Sequence, residues 1–409
     1  MATGVLDGEA APADGSLPHQ AIAELVESSP RSFGFYVHVP YCATRCGYCD
    51  FNTYTAAELG PGVSRADYAH TAIAEVRLAR RVLAAVNRPV DTVFFGGGTP
   101  TLLPPQDLLS ILIAIRDEFG LAPDAEITTE ANPDSVDRES LSALELGGFT
   151  RISFGMQSVS PHVLSILERT HTPDRARAAV QWAREAGFEH LNLDLIYGTP
   201  GETSDDFARS LGAAIESGVD HVSAYSLVVE DGTRLGRQVA RGEMAAPDDD
   251  VAARRYEAAD EMLSAAGLEW YEISNWARPG GECRHNLGYW TEGDWWGIGP
   301  GAHSHIGGVR WWNVKHPTTY AERINAGISP SLAREVLTPT ARSMETIMLK
   351  TRLRTGLPIE ALSGAGLAAA RRAAADGLVE SGPLSHGRIT LTRRGRLLGD
   401  RVVATLVGL

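Results

Sequence analysis

Three cysteines follow one another at C-x3-C-x2-C spacing in the stretch Tyr36-Val-His-Val-Pro-Tyr-Cys42-Ala-Thr-Arg-Cys46-Gly-Tyr-Cys49-Asp-Phe51. Iron–sulfur clusters need soft thiolate ligands, and three on one loop can hold three irons of a [4Fe–4S] cube. The fourth iron is then open to a small molecule. The competing reading is a partial zinc site, which would want a fourth ligand. His38 could supply it, but it lies inside the apolar run Phe35–Val39 and reads as a histidine of a barrel interior.

Further candidates come one by one along the chain. Gly96-Gly97-Gly98-Thr99-Pro100 is a glycine turn whose backbone N–H groups can approach a ligand closely. Glu130, Gln157, Arg169 and Asp194 are polar residues at the ends of apolar runs or just beyond them. Each could cap a helix or pair in a salt bridge as readily as touch a ligand. His285-Asn286-Leu287-Gly288-Tyr289-Trp290 sits in a region holding seven of the eight tryptophans, between Trp270 and Trp312. His285 alone reads as a core histidine with a satisfied hydrogen bond, but imidazole is also a common axial ligand of heme iron. Cys283 is a buried thiol or a second contact of the same kind. Gly297 to His305 reads as a glycine-rich crossing over a barrel mouth, with cofactor contact as the other possibility.

Positioning these residues requires strands and helices in alternation, and the patterning supplies them. Strands are expected at Phe35–Val39, Thr92–Phe95, Glu126–Thr129, Arg151–Phe154, Leu191–Ile196 and Val222–Val228. Helices are expected at 65–86, Gln106–Phe119, Asp137–Leu146, Pro161–Leu167, Pro173–Ala186 and Ser204–Ser217. Such alternation implies a parallel sheet, and six strands suit an open (β/α)6 barrel of TIM type rather than a closed eightfold one. The unusual residues fall after successive strands, on the carboxyl face where such barrels build their sites. Residues 1–32 read as a loose arm and 33–235 as the barrel. Residues 236–342 read as an aromatic-rich linker, opened by the Gly-, Arg- and Asp-rich stretch Asp231–Asp250. The tail, 343–409, reads as a mainly helical, winged-helix-like lobe with a hairpin-like Gly377–Thr392.

The 409 residues are 44% hydrophobic and 22% charged, which is ordinary for a globular protein with a large core. A net charge of −14 with no basic stripe argues against nucleic acid as a partner. Four cysteines, three on one loop, are no disulfide framework, and an oxygen-sensitive cluster implies a reducing cytoplasm. The first thirty residues lack a basic start and a long apolar run, so neither a leader nor stable membrane insertion is expected.

The cysteine spacing, with an aromatic before the last cysteine, resembles the radical S-adenosylmethionine superfamily. That resemblance implies S-adenosylmethionine on the open iron, cleaved reductively to a 5′-deoxyadenosyl radical, and an electron donor for the cluster. The motifs YVHVPYC, CGYCDF, FFGGGTP, TEANP, RISFGMQS and LDLIYGTPG are similar to the branch containing oxygen-independent coproporphyrinogen III oxidases. In that branch, residues matching Tyr36, Tyr48, Gly98, Thr99, Glu130, Gln157, Arg169 and Asp194 hold S-adenosylmethionine, one molecule or two. The oxidases carry a further cysteine two positions after the third cluster cysteine, where this chain has Phe51. CDF together with HNLGYW instead resembles the HemW heme-chaperone family. That likeness implies heme, with His285 in its binding motif, and transfer to an acceptor hemoprotein. Decarboxylation of coproporphyrinogen III remains the alternative, and whether radical chemistry accompanies normal function is open.

Overall fold

The computed structural model describes residues 8–27, 31–59, 65–171 and 173–408. Six consecutive strands run parallel: β2 (Phe33–Val39), β3 (Val90–Gly97), β4 (Leu121–Ala131), β5 (Arg151–Gln157), β6 (His190–Tyr197) and β7 (His221–Ser226). They follow β1 (Glu9–Ala10). β2 is buried on both faces, as a parallel strand covered by helices outside and a packed interior must be. The helices Tyr68–Val82, Pro105–Phe119, Arg138–Leu146, Pro173–Ala186 and Ser204–Glu216 connect the strands and pack against them. This is the α/β partial barrel read from the patterning. β7 ends at Ser226, so Leu227 turns into the interior while Val228 stands 59% exposed.

Outside the barrel the structure departs from the expectations. Residues 236–342 do not connect passively: they extend the sheet at both edges. β8 (Glu269–Glu272) and β9 (Asn275–Ala277) add antiparallel beyond β7. β10 (Asp294–Ile298) adds parallel to β2, pairing Trp295 with Gly34 and Ile298 with Val37. β11 (His303–Ile306), β12 (Val309–Asn313) and β13 (Ser331–Val336) continue antiparallel. Among the described residues the result is one sheet of 13 strands, ordered β1-β13-β12-β11-β10-β2-β3-β4-β5-β6-β7-β9-β8. The cause is the edge of an open barrel, where unpaired backbone groups of β2 and β7 demand partners. The stretch Asp231–Asp250 likewise holds a helix, Arg234–Ala240.

Of the expected loose arm, residues 1–7 and 28–30 lie outside the described residues, and the rest is built in. β1 pairs with β13, and the helix His19–Glu27 buries Ala21 and Leu25. Gly307, at φ 55°, lets that helix approach: a Cβ there would stand 2.4 Å from the Ala21 carbonyl oxygen. The tail packs a core of its own, including Leu357, Ala370, Ile389 and Leu406. The stretch read as a hairpin, Gly377–Thr392, contains the short helix Ser381–Ser385. Its two arms do meet antiparallel, with Val379 opposite Leu391, Glu380 N–H on Thr390 O (2.9 Å) and Thr392 N–H on Leu378 O (3.1 Å), and its Arg388–Ile389 segment pairs further with Leu357–Pro358.

Candidate functional site

The cysteine loop leaves the carboxyl end of β2 and folds back over the barrel mouth. Its backbone is tied at several points: Cys42 N–H donates to Tyr54 O (3.0 Å), Gly47 N–H to Leu167 O (3.2 Å), and Gly47 O accepts from Leu235 N–H (2.8 Å). His38 braces it from inside the barrel, with Nε2 2.9 Å from Asn52 O and Nδ1 3.0 Å from the Tyr36 hydroxyl. A carbonyl can only accept, so His38 carries its proton on Nε2 and Tyr36 donates to Nδ1. The sequence reading of His38 as an interior residue holds, with a bracing contact that spacing alone did not suggest.

Burial, then the neighbouring thiols, pushes Cys42 up to about 11, and burial raises Cys49 as well. The loop is therefore a poor place for free thiolates and a good one for thiolates that share cationic iron. Arg169 adds a fixed cation, with Nη1 3.6 Å from Cys46 Sγ and Nη2 2.7 Å from Gly155 O. Among the described residues no three such side chains converge to hold a single metal ion. A cube presents its irons at separate corners, so its ligands need not meet at one point. The donor set fits a cluster of this kind.

The glycine turn packs directly against this loop. Gly98 N–H donates to Val39 O and Thr99 N–H to Tyr41 O, both at 2.8 Å. A Cβ on Gly98 would lie 2.5 Å from Tyr41 O, so only glycine allows the approach. Thr99 also bonds toward the Cys42 thiol. Tyr48 packs beside a small apolar cluster of Val163, Leu167, Ile196, Leu227 and Leu235. Gln157 ends β5 in the left-handed region, φ 62°, where the register with β6 slips by one residue. A side chain held there at a bulge is re-aimed by the backbone. The point where a Gly155 Cβ would sit is filled by Gln157 Nε2 and Arg169 Nη2, 2.8 and 2.9 Å away, so these two lie side by side.

Tyr36, Glu130 and Asp194 line one chamber of about 320 Å³ inside the barrel. Glu130 accepts from Gly97 N–H at 3.1 Å, and burial followed by the charge of Asp194 pushes it up to about 8. Burial raises Asp194 too, although Ser153 Oγ (2.9 Å) and Asn192 Nδ2 (2.8 Å) donate to it. Two carboxylates facing one enclosed space favour a cationic guest. Ser153, Asn192, Ser223 and Tyr225 also line the chamber, and sequence reasoning missed them. Their signal was present, since polar residues at every second position of an otherwise apolar strand point into one interior.

His285 enters the same chamber from the opposite end. The helix Arg284–Trp290 lies at the amino ends of the strands, immediately before β10, and closes the barrel from below. Glu126, midway along β4, accepts from His285 N–H (3.0 Å), Arg284 N–H (3.1 Å) and Arg151 Nε (3.0 Å). Burial would push Glu126 up, but Arg151 and those amides hold it below its usual range. The His285 ring is 4% exposed and stacks 5.2 Å from Phe94. Its Nδ1 lies 2.8 Å from Thr92 Oγ1 and its Nε2 2.8 Å from the Tyr289 hydroxyl. Neither nitrogen is free for iron in this arrangement, and burial lowers the ring to about 4. Asn286 Nδ2 binds Glu272 (2.7 Å) and Cys283 Sγ meets Glu126 at 3.5 Å. The structure thus joins His285 to the chamber floor and separates it from the cysteine loop. The Gly297–His305 turn is structural: Gly299 N–H donates to Glu75, and Pro300 O accepts from Asn52.

The family described as the Radical SAM superfamily matches residues 36–214. The heme chaperone HemW of Mycobacterium tuberculosis is 56% identical over 393 residues, covering 95% of this chain and 99% of its own. HemW of Bacillus subtilis is 32% identical over 383 residues, covering 91% and 98%. Among solved structures, the Escherichia coli coproporphyrinogen III oxidase HemN, a radical SAM enzyme, superposes with a TM-score of 0.80. It is 23% identical and covers 99% of this chain and 95% of its own, a likeness of fold.

Proposed function

Because the chain belongs to the HemW family of the Radical SAM superfamily, we propose that it is a heme chaperone: it binds heme and passes it to an acceptor hemoprotein. The observation that carries this reading is a relative of that name, 56% identical along nearly the whole chain. Superfamily membership implies a [4Fe–4S] cluster and S-adenosylmethionine. Cys42, Cys46 and Cys49 are the ligands assigned to the cluster. Tyr36, Tyr48, Gly98, Thr99, Glu130, Gln157, Arg169 and Asp194 are assigned to S-adenosylmethionine. When bound, the cluster would supply electron transfer to the cofactor, with an external donor to replace the electron.

The protein's own part is to hold charge and exclude water. Arg169 holds its permanent positive charge 3.6 Å from Cys46 Sγ. Glu130 and Asp194 would hold the cationic cofactor, whose charge would offset the burial that raises both carboxyl groups. The glycine turn keeps Gly97 N–H on Glu130 and so aims the carboxylate. His38 and Tyr36 fix the inner side of the cysteine loop.

Among the described residues no helix is long and apolar enough to cross a membrane. The reading is tested by anaerobic reconstitution of the cluster, followed by parallel assays of hemin retention, transfer to an apo-hemoprotein and coproporphyrinogen III decarboxylation. Hemin retention and transfer are expected, without protoporphyrinogen. Steady decarboxylation would replace the chaperone reading with the oxidase one.

A further inference from the structure

Thr92 belongs to none of the sequence motifs, yet it meets the imidazole of His285 across the barrel floor. It lies on β3, buried, between Gly34 of β2 and Glu126 of β4 in register. Three neighbouring strands thus converge on one histidine. Glu126 accepts its backbone N–H, Thr92 Oγ1 stands 2.8 Å from its Nδ1, and Gly34 leaves the room for both. A Cβ on Gly34 would lie 2.5 Å from Thr92 Oγ1 and 3.3 Å from that nitrogen.

The hydrogen-bond partners decide which ring nitrogen carries the proton. The Glu126 carboxylate bonds the His285 amide rather than the ring, and Arg151 matches its charge. A buried imidazolium would lack a counter-ion of its own, so the ring is neutral. A neutral imidazole donates at one nitrogen and accepts at the other. Its two partners here are unequal. A phenol is the stronger donor and the weaker acceptor, because its lone pairs are drawn into the ring, whereas an aliphatic hydroxyl accepts well. Tyr289 therefore donates to Nε2 at 2.8 Å, and Nδ1–H donates to Thr92. Histidine in water prefers the opposite form, with its proton on Nε2. The partners also differ in freedom. Thr92 is β-branched and held inside the sheet, while Tyr289 is half-buried, one turn further along the helix Arg284–Trp290.

We propose that Thr92 is a positioning residue for heme iron: it keeps the His285 proton on Nδ1 and leaves the Nε2 lone pair for the metal, guarded by the Tyr289 hydroxyl until iron displaces it. The assignment rests on the chaperone reading. On binding, an Fe–Nε2 bond forms and the hydrogen bond from Tyr289 to Nε2 breaks. The phenol keeps its proton and no electron moves. A partner on the far nitrogen fixes the tautomer and raises the basicity of a metal-bound histidine in this way.

The first test needs no heme. In the reconstituted full chain, isotope-labelled at histidine and read by nitrogen NMR, His285 is assigned by its loss in His285→Gln. Its ring is expected as the Nδ1–H tautomer. Thr92→Val should convert it to Nε2–H, and Thr92→Ser should restore Nδ1–H. A merely structural Thr92 would leave the tautomer unmoved. The second test titrates hemin, followed by its Soret band, into wild type and variants. Thr92→Val is expected to weaken binding by about tenfold or more, Thr92→Ser to match wild type, and Tyr289→Phe to bind more tightly. An Nε2–H ring in the wild type overturns the assignment and leaves the chaperone reading standing. So does unchanged hemin affinity in folded Thr92→Val. Weaker binding in Tyr289→Phe overturns the guard. Where Thr92→Val fails to fold, the wild-type tautomer and Tyr289→Phe still decide. Failure of the wild type to retain hemin sinks the chaperone reading, and the assignment with it.

Discussion

At the scale of single residues, Glu130 departs far from its ordinary chemistry. Buried beside Asp194, it takes up its proton at about pH 8. The cationic cofactor prefers the charged carboxylate, so binding must drive that proton off. The affinity for S-adenosylmethionine should therefore rise as pH increases from 6.5 to 8.5, with proton release seen by calorimetry in buffers of different ionisation enthalpy. Glu130→Gln should bind more weakly and lose the pH dependence. A flat profile in the wild type would remove Glu130 from the site. Glu130, left open between a helix cap, a salt bridge and a ligand contact, stands in the chamber wall. His285 has the satisfied hydrogen bonds that its core reading expects, from two hydroxyl partners.

Elements decide how those residues meet. The glycine turn after β3 works through contact with the cysteine loop. Gly98→Ala would push Tyr41 away and loosen both, and should lower reconstituted iron content while leaving the far-ultraviolet circular dichroism unchanged. Full iron content would show that the turn and the loop move independently. The helix Arg284–Trp290 works by capping the barrel on the Glu126–Arg151 pair. Arg151→Ala would strand a buried carboxylate and should cost about 3–5 kcal/mol in chemical denaturation. A cost below ~1 kcal/mol would mean that the floor is held by other contacts.

Across the whole molecule, one sheet unites segments far apart in the chain, and Glu75 pins its extension to the barrel. Its carboxyl group accepts from Tyr320 (2.6 Å), Asn313 (2.8 Å) and Gly299 N–H (2.8 Å), and burial pushes it up to about 7. Glu75→Ala leaves buried donors without partners and should cost about 1–3 kcal/mol for each one not rehydrated. Thermal unfolding of the variant measures it, and an unchanged midpoint would show that the extension holds without this pin. At the other end, Arg396 ties the tail to the barrel. It pairs with Asp260 at 2.7 Å and lies 4.3 Å from the Trp270 ring.

The sequence by itself determined the six parallel strands, the cysteine loop and the glycine turn. Each of these rests on local rules: alternation with period two, thiol spacing, and the close approach that only glycine allows at Gly98. Tertiary structure alone decided that the region read as a linker becomes six further strands, that the arm becomes an edge strand and a helix, and that HNLGYW plugs the amino end. Those outcomes answer to demands made elsewhere in the chain: unpaired backbone at the edges of an open barrel, and an empty volume beneath it. No local pattern in Arg284–Trp290 records that Glu126, 159 residues from His285, waits to accept its amide.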